Sequence, residues 1–161
     1  MVTKLGNVHL YQHKYPVPDV LVILPSSFAG DELSVEAWRQ IELYPKRLRQ
    51  TRGDVSFAVR SSALGEDSAR ASFAGEFETV LDVHDNEEVL PAIRTVRQSR
   101  HSERVRAYSQ ARGIPAIPDM AVVVQLMVHA DVSGVLFTAD PWMAASRRWS
   151  VTSSMGWGRN W

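Results

Sequence analysis

Apolar runs alternate with polar segments along the chain, and five of the runs have the length and composition of buried strands. They are rich in β-branched and aromatic residues, which favour extended backbone. The runs cover residues 20–24, 55–59, 78–83, 121–128 and 132–139, and a last short strand is expected over 149–153. Only three residues separate the fourth run from the fifth, which predicts that these two strands pair as an antiparallel hairpin.

Apolar residues at helical spacing predict helices between the strands. One helix begins at Ser34 and is expected to end near Tyr44, because Pro45 interrupts the pattern. Another begins after Asp85, which is followed three residues later by Glu88 and so has the form of a capping box. The apolar residues that follow mark one face of this second helix.

A further helix is expected to begin near Ser102 and to stop at Gly113, because glycine suits a left-handed C-terminal position. A short helix is expected over residues 6–14. Together these elements predict one α+β domain over residues 1–161, in which helices pack on a sheet that is buried on both faces.

Composition narrows the class of protein. The chain has 161 residues, of which 45% are hydrophobic and 22% charged, as in a globular domain. Basic and acidic residues balance at 18 each, so no overall field attracts nucleic acid, and no apolar stretch is long enough to cross a bilayer. We therefore expect neither a nucleic acid nor a membrane as a partner. The absence of cysteine excludes disulfides, and the N-terminus lacks a secretory pattern, so we expect the cytoplasm.

The densest chemical signal lies at the end of the second predicted strand. That strand delivers Arg60 and two serines to a polar loop, and the sequence Ser-Phe-Ala-Gly follows at 72–75. The guanidinium group offers a rigid fork of donors that matches phosphate oxygens, and small residues let backbone N–H groups approach an anion. The alternative is that Arg60 forms a structural ion pair and that the loop is an ordinary surface turn.

Two motifs in this order resemble the ATP-binding domain of pyruvate phosphate dikinases and phosphoenolpyruvate synthases. The first is Ala-Val-Arg-Ser-Ser-Ala at 58–63, followed by Glu-Asp at 66–67 and by Ser-Phe-Ala-Gly before a Thr-containing strand. The second is the Gln-Leu-Met-Val strand ending at Val128, followed by the stretch 131–141. The resemblance runs from about Leu5 to about Gly158. Motif blocks of this length are specific signals, unlike a lone glycine loop.

The resemblance implies an ATP-grasp fold, in which two lobes hold ATP between them. In such a domain the arginine at position 60 contacts the ATP phosphates and carries the catalytic role, and the loop at 72–75 closes over them. The strand ending at Val128 lines the adenine pocket. The residues that the resemblance assigns to ATP binding are Arg60, Ser72, Phe73, Ala74, Gly75, Thr79, Gln125, Met127 and Val128.

The resemblance also implies chemistry and partners. Members of the family use ATP with Mg²⁺ and pass phosphate to a histidine on a separate swivelling domain, which carries it to pyruvate or another acceptor. The five histidines of this chain lie in unrelated contexts, so we expect the carrier histidine on a separate chain or domain. No residue is assigned to a metal, because the spacing of Glu66, Asp67, Glu76 and Glu78 does not identify ligands.

The sequence departs from the family pattern at both ends. In Gly6-Asn7-Val8, Val8 takes the place of the lysine that helps to hold the ATP phosphates in the family. Near the other end, Arg159 takes the place of a glutamate that precedes the acidic metal ligands of the family. We therefore expect an incomplete ATP-grasp domain that lacks the metal-binding part, and whether the chain alone is an enzyme stays open. The alternatives are a non-catalytic nucleotide-binding or interaction module, or a degenerate gene fragment.

Overall fold

The computed structural model describes residues 2–3, 18–63, 67–68, 71–72, 77–111, 113, 119–137 and 150–155. The helix expected over 6–14 lies outside these residues. The chain divides into two compact units, Met1–Met127 and Val128–Trp161. The prediction of a single domain over the whole chain stays a prediction.

The described part of the chain contains short strands, four α-helices and two 3₁₀-helices (Pro25–Ser27 and Ser99–His101), so the predicted α+β class is confirmed. The strands are β1 (Val2–Thr3), β2 (Val20–Ile23), β3 (Phe28–Ala29), β4 (Glu32–Leu33), β5 (Phe57–Ala63), β6 (Asp67–Ser68), β7 (Ala71–Ser72), β8 (Val80–Val83), β9 (Met120–Leu126), β10 (Val132–Phe137) and β11 (Ser150–Met155). The helices are α1 (Val35–Ile41), α2 (Leu43–Arg52), α3 (Asn86–Gln98) and α4 (Glu103–Ala111).

A five-stranded sheet forms the centre of the first unit. Its strand order is β1-β2-β9-β5-β8, and every neighbouring pair is antiparallel. Strand β9 lies in the middle, so Val123 pairs with Val22 on one side and with Arg60 on the other. Residues that are direct partners in an antiparallel sheet point to the same face, so this register fixes which side chains share a surface.

One face of this sheet carries the hydrophobic core. Along β9 every second residue from Met120 to Leu126 is buried, as the period of a strand requires. Helix α3 packs against this face through Val89, Ile93 and Val96, whose side chains are almost fully buried. The sheet contributes Leu21, Ile23, Phe57, Val59, Val83, Met120, Val122, Val124 and Leu126 to the same cluster.

The opposite face, which we call the open face, differs from the prediction. The sequence pattern predicts burial on both sides, yet Val22, Val123 and Gln125 on the open face are only half-buried, and Arg60 is exposed. The β-branched residues of β9 occupy both faces, and composition therefore cannot distinguish a half-covered face from a fully buried one.

Proline 45 does not end the first predicted helix. Helix α1 stops at Ile41, and α2 begins at once with Leu43, so Pro45 lies in the first turn of a new helix. A proline costs little there, because the N–H groups of the first turn have no partner within the helix. The prediction of a helix ending near Tyr44 is wrong for this reason, although its start is confirmed: Ser34 accepts a hydrogen bond from the N–H of Ala37 at 3.2 Å.

The ends of α3 and α4 follow their predicted signals. Asp85 accepts a hydrogen bond from the N–H of Glu88 at 2.8 Å, and the Glu88 carboxylate accepts one from the N–H of His84 at 2.7 Å. Ser102 caps α4 by accepting from Val105 at 3.3 Å. Gly113 has a φ of 64°, which is the left-handed conformation that glycine adopts without strain.

The predicted pairing of the fourth and fifth strands is wrong. Strand β9 pairs with β2 and β5, whereas β10 pairs with β11 from Val132↔Met155 to Phe137↔Ser150. The short strand expected over 149–153 is therefore the partner of β10. A hairpin inference uses only the length of the connection, and here longer-range pairings take both strands.

Strand β8 forms the end of the five-stranded sheet and is irregular. Its register against β5 shifts between the pairs Phe57↔Val83 and Val59↔Val80, so β8 contains one more residue than the β5 segment it faces. Asp82 lies within this bulge with a φ of 57°. Aspartate tolerates this left-handed conformation better than most residues.

A buried arginine ties the β3–β4 turn to the core. Arg97 is 4% exposed, donates a hydrogen bond to the carbonyl of Met120, and lies over the ring of Phe28 at 4.6 Å. Burial lowers the pKa of Arg97 below its ordinary value and nearby Arg100 adds to this, whereas Asp119 and Asp31 oppose it. The guanidinium therefore serves as an internal structural cation.

Candidate nucleotide-binding site

Arg60 lies on the open face of the sheet. The residue before it, Val59, is fully buried, and the backbone of Arg60 is fixed by pairing with Val123 of the central strand. The side chain is exposed, and none of the described carboxylates forms an ion pair with it. A structural ion pair for Arg60, the alternative raised by the sequence, therefore has no counterpart in the described part of the chain.

Gln125 shares the open face with Arg60. It pairs with Ala58 of β5 and with Val20 of β2. Because Arg60 faces Val123, Gln125 is its diagonal neighbour, a relation that places residues roughly 7–8 Å apart and within reach of long side chains. The strands thus bring together two predicted site residues that are far apart in the sequence.

Thr79 lies just outside β8, the strand that pairs with the other side of β5. It is exposed and directly precedes Val80, which pairs with Val59, the neighbour of Arg60. Arg60 and Gln125 are thus diagonal neighbours on the sheet, whereas Thr79 lies just before β8, on the other side of β5 from Gln125. The three side chains offer a planar cation, a hydroxyl and an amide. These groups can donate hydrogen bonds to phosphate oxygens or to other polar ligand atoms.

The predicted phosphate loop is described only in part. Strands β6 and β7 form a small antiparallel hairpin with Asp67 opposite Ser72, so the backbone of Ser72 belongs to a strand. Phe73, Ala74 and Gly75 lie outside the described residues, as do Glu66 and Glu76. The closure of this loop over phosphates stays a prediction.

The end of β9 is fixed by two backbone hydrogen bonds. The N–H of Leu126 donates to the carbonyl of Asp19, and the N–H of Met127 donates to the carbonyl of Ser56, both at 2.9 Å. Sequence reasoning missed both acceptors, since neither belongs to a motif and each comes from a distant segment. Met127 is half-buried at the end of the first unit.

Val128 begins the second unit and is 62% exposed. Its carbonyl accepts a hydrogen bond from the N–H of Ala130 at 3.1 Å, which turns the chain directly after this residue. The predicted role of Val128 in lining an adenine pocket stays a prediction.

A magnesium site would need several oxygen ligands close together. Among the described residues, no three histidine, cysteine, aspartate or glutamate side chains lie close enough together to hold a metal ion. Mg²⁺ requires oxygen ligands in octahedral geometry, usually including one or two carboxylates. The described part of the chain does not by itself fit such a site.

Residues 24–160 match the family described as pyruvate phosphate dikinase, AMP/ATP-binding domain. The chain therefore belongs to this family, and the family assignment made from the two motifs is confirmed. The mixture of antiparallel sheets and helices is consistent with an ATP-grasp type of fold. ATP is accordingly the ligand that family membership supports.

Phosphotransferases and a synthase are among its relatives. The chain is 30% identical over 179 aligned positions to an uncharacterized phosphotransferase of Bacillus subtilis, covering 96% of this chain and 21% of that protein. It is 41% identical over 104 residues to a rifampicin phosphotransferase of a Streptomyces species, covering 64% of this chain and 12% of that protein. It is 40% identical over 110 residues to a phosphoenolpyruvate synthase of Neisseria meningitidis, covering 66% of this chain and 14% of that protein.

The chain spans only 12% to 21% of the length of these relatives. Family membership thus assigns the nucleotide-binding domain, and the reaction of the whole protein lies beyond it.

None of the helices in the part of the chain that the structure describes has the length and apolar character needed to cross a bilayer.

Proposed function

We propose that this chain binds ATP on the open face of the five-stranded sheet and supplies the nucleotide domain of a phosphotransferase. Arg60 contacts the phosphates and is the catalytic residue, with Thr79 beside it. The loop Ser72, Phe73, Ala74 and Gly75 covers the phosphates. Gln125, Met127 and Val128 line the adenine pocket.

One observation carries this proposal. Arg60 is exposed on a rigid strand, has no carboxylate partner among the described residues, and lies diagonally beside Gln125. An arginine that serves only the fold is expected to resemble Arg97, which is buried and contacts a carbonyl, a ring and two carboxylates. Arg60 is instead available for an anion from outside the chain.

The proposed reaction uses ATP with Mg²⁺ and passes phosphate to a histidine. The ion would neutralise the β- and γ-phosphates. We propose that the metal ligands and the carrier histidine come from a further domain or a separate chain. The acceptor is not defined, because the relatives include enzymes named for different substrates. We also propose the cytoplasm as its location.

Calorimetric titration of the chain with ATP, with and without Mg²⁺, tests the proposal. We expect Arg60→Ala to weaken ATP binding about tenfold or more, since a charge-assisted hydrogen bond contributes roughly 1.5–3 kcal/mol. The matched control is Arg39→Ala, which removes an exposed arginine of α1 and should leave the affinity unchanged. Absence of binding by the unaltered chain at millimolar ATP, or equal losses in both variants, would contradict the proposal.

A second candidate is nucleotide binding without phosphoryl transfer. The absence of a carboxylate cluster among the described residues, together with Val8 in place of the expected lysine, supports it. The same titration separates the two candidates when it is followed by analysis of the nucleotide. ATP that is bound but returned unchanged, even with Mg²⁺ and the expected partner domain present, favours the binding module.

A further inference from the structure

The last residues of β9 are held from both sides by segments that lie outside the strands. Asp19 directly precedes β2 and accepts from Leu126, and Ser56 directly precedes β5 and accepts from Met127. These two bonds continue the register of both strand pairs by one residue. The position of the Leu126–Met127 backbone therefore depends on where Asp19 and Ser56 are placed.

One of the contacts of the Asp19 side chain is an ion pair with Arg52. Its carboxylate lies 2.6 Å from a guanidinium nitrogen of Arg52, and its side chain is 17% exposed against 53% for Arg52. Arg52 is the last residue of α2, and Gly53 ends the helix with a φ of 81°. The ion pair thus links the end of a helix to the segment that holds β9.

We propose that Arg52 and Asp19 are positioning residues for adenine recognition. This inference rests on the proposed function, in which the end of β9 lines the adenine pocket. Contacts between a backbone and the edge of a flat ring cannot be adjusted by side-chain rotation, so they depend on the placement of the peptide groups. The N–H groups of Leu126 and Met127 already donate to Asp19 and Ser56, so such contacts would use other backbone groups of this segment. Binding groups must be held within about 0.5 Å of their productive geometry, which requires supporting contacts of this kind.

If the ion pair served only to stabilise the fold, its loss would lower the unfolding midpoint and leave the ligand site unchanged. We expect the midpoint to change very little, because an exposed ion pair contributes little to overall stability. A positioning pair should instead loosen the end of β9 and weaken the ligand that uses it. Phosphate binding through Arg60, which pairs with the middle of β9, should not respond.

The test compares ATP with inorganic tripolyphosphate, which has the phosphates but no adenine. We expect Arg52→Gln and Asp19→Asn to weaken ATP binding about two- to fivefold, the range that one partly exposed ion pair supports, while tripolyphosphate binding stays unchanged. Asp19→Asn keeps the backbone carbonyl that accepts the hydrogen bond from the N–H of Leu126. Arg52→Lys should retain most of the affinity, because it keeps the charge.

Arg94→Gln is the matched control. It breaks another surface ion pair, with Glu32 at 2.9 Å, and neither partner adjoins the end of β9. Amide hydrogen exchange adds a readout that needs no ligand: exchange at Leu126 and Met127 should accelerate in Arg52→Gln, but not exchange at Val123 in the middle of the strand.

The outcomes separate this inference from the proposed function. If the unaltered chain does not bind ATP, the proposed function fails and the inference fails with it. If ATP binds but Arg52→Gln changes neither its affinity nor the exchange at Leu126, the positioning role is overturned and the function stands. Equal loss of ATP and tripolyphosphate would also overturn it, because the pair would then act on the whole fold.

Discussion

The two faces of the five-stranded sheet are built from the same strands and differ in how fully the rest of the chain covers them. On the core face, Phe57, Val59 and Val124 are fully buried beneath helices. On the open face, Val123 and Gln125 stay half-buried and Arg60 is exposed, whereas the small side chain of Ala58 is buried. The core face is complete within the described chain. The open face has the polar groups and the partial exposure expected of a surface that a ligand or further chain covers.

The largest test of this contrast removes a core-face side chain. Phe57→Ala should destabilise the protein by about 3–5 kcal/mol, because the ring is fully buried and its loss leaves a cavity under Tyr44 and Arg49. Urea denaturation measures the change. Ser62→Ala, on the open face of the same strand, should stay within about 0.5 kcal/mol of the unaltered protein. Similar losses in the two variants would mean that the faces do not differ as described.

A matched pair of adjacent valines sharpens the contrast. Val124→Ala should cost about 2 kcal/mol of stability, since it deletes two fully buried methyl groups. Val123→Ala, on the half-buried open face, should cost less than about 1 kcal/mol. Thermal unfolding of both variants at one pH gives the comparison. A larger loss for Val123 would indicate that the open face is covered more completely than its exposure suggests.

The smallest expected effect concerns the shape of the cation on the open face. Arg60→Lys keeps the charge and loses the planar fork, so ATP affinity should fall less than in Arg60→Ala, by about threefold, with unfolding unchanged. Titration with ATP measures the first quantity and urea denaturation the second. Full affinity in the lysine variant would show that Arg60 acts as a simple point charge.

Local signals in the sequence predicted much of the first unit. The Asp85–Glu88 capping pattern and Gly113 marked helix ends correctly, because a cap depends on residues within one turn. The apolar runs located β5 and β9, since strand periodicity is also local. Pro45 was misinterpreted because one residue can end a helix or lie in the first turn of another, and flanking sequence does not decide between them.

What the sequence could not supply were the long-range pairings. The partners of β9 come from β2 and β5 rather than from the adjacent β10, and no local pattern encodes that choice. The candidate site also combines local motifs with long-range pairing. Motifs identified Arg60 and Gln125 separately, and only the strand register shows that they are diagonal neighbours. The Asp19–Arg52 pair has no motif, because its effect on β9 passes through a backbone carbonyl.

The bulge in β8 also bears on how copies of this chain meet. Strand β8 is the last strand of the sheet in the described residues, and a regular edge exposes N–H and C=O groups that a strand from another molecule can pair with. Here the extra residue disrupts the spacing of those groups, and Asp82 adds a negative charge within the same short segment. Among the described residues, the irregular edge therefore makes β8 a poorer template for intermolecular sheet growth than a regular strand would be.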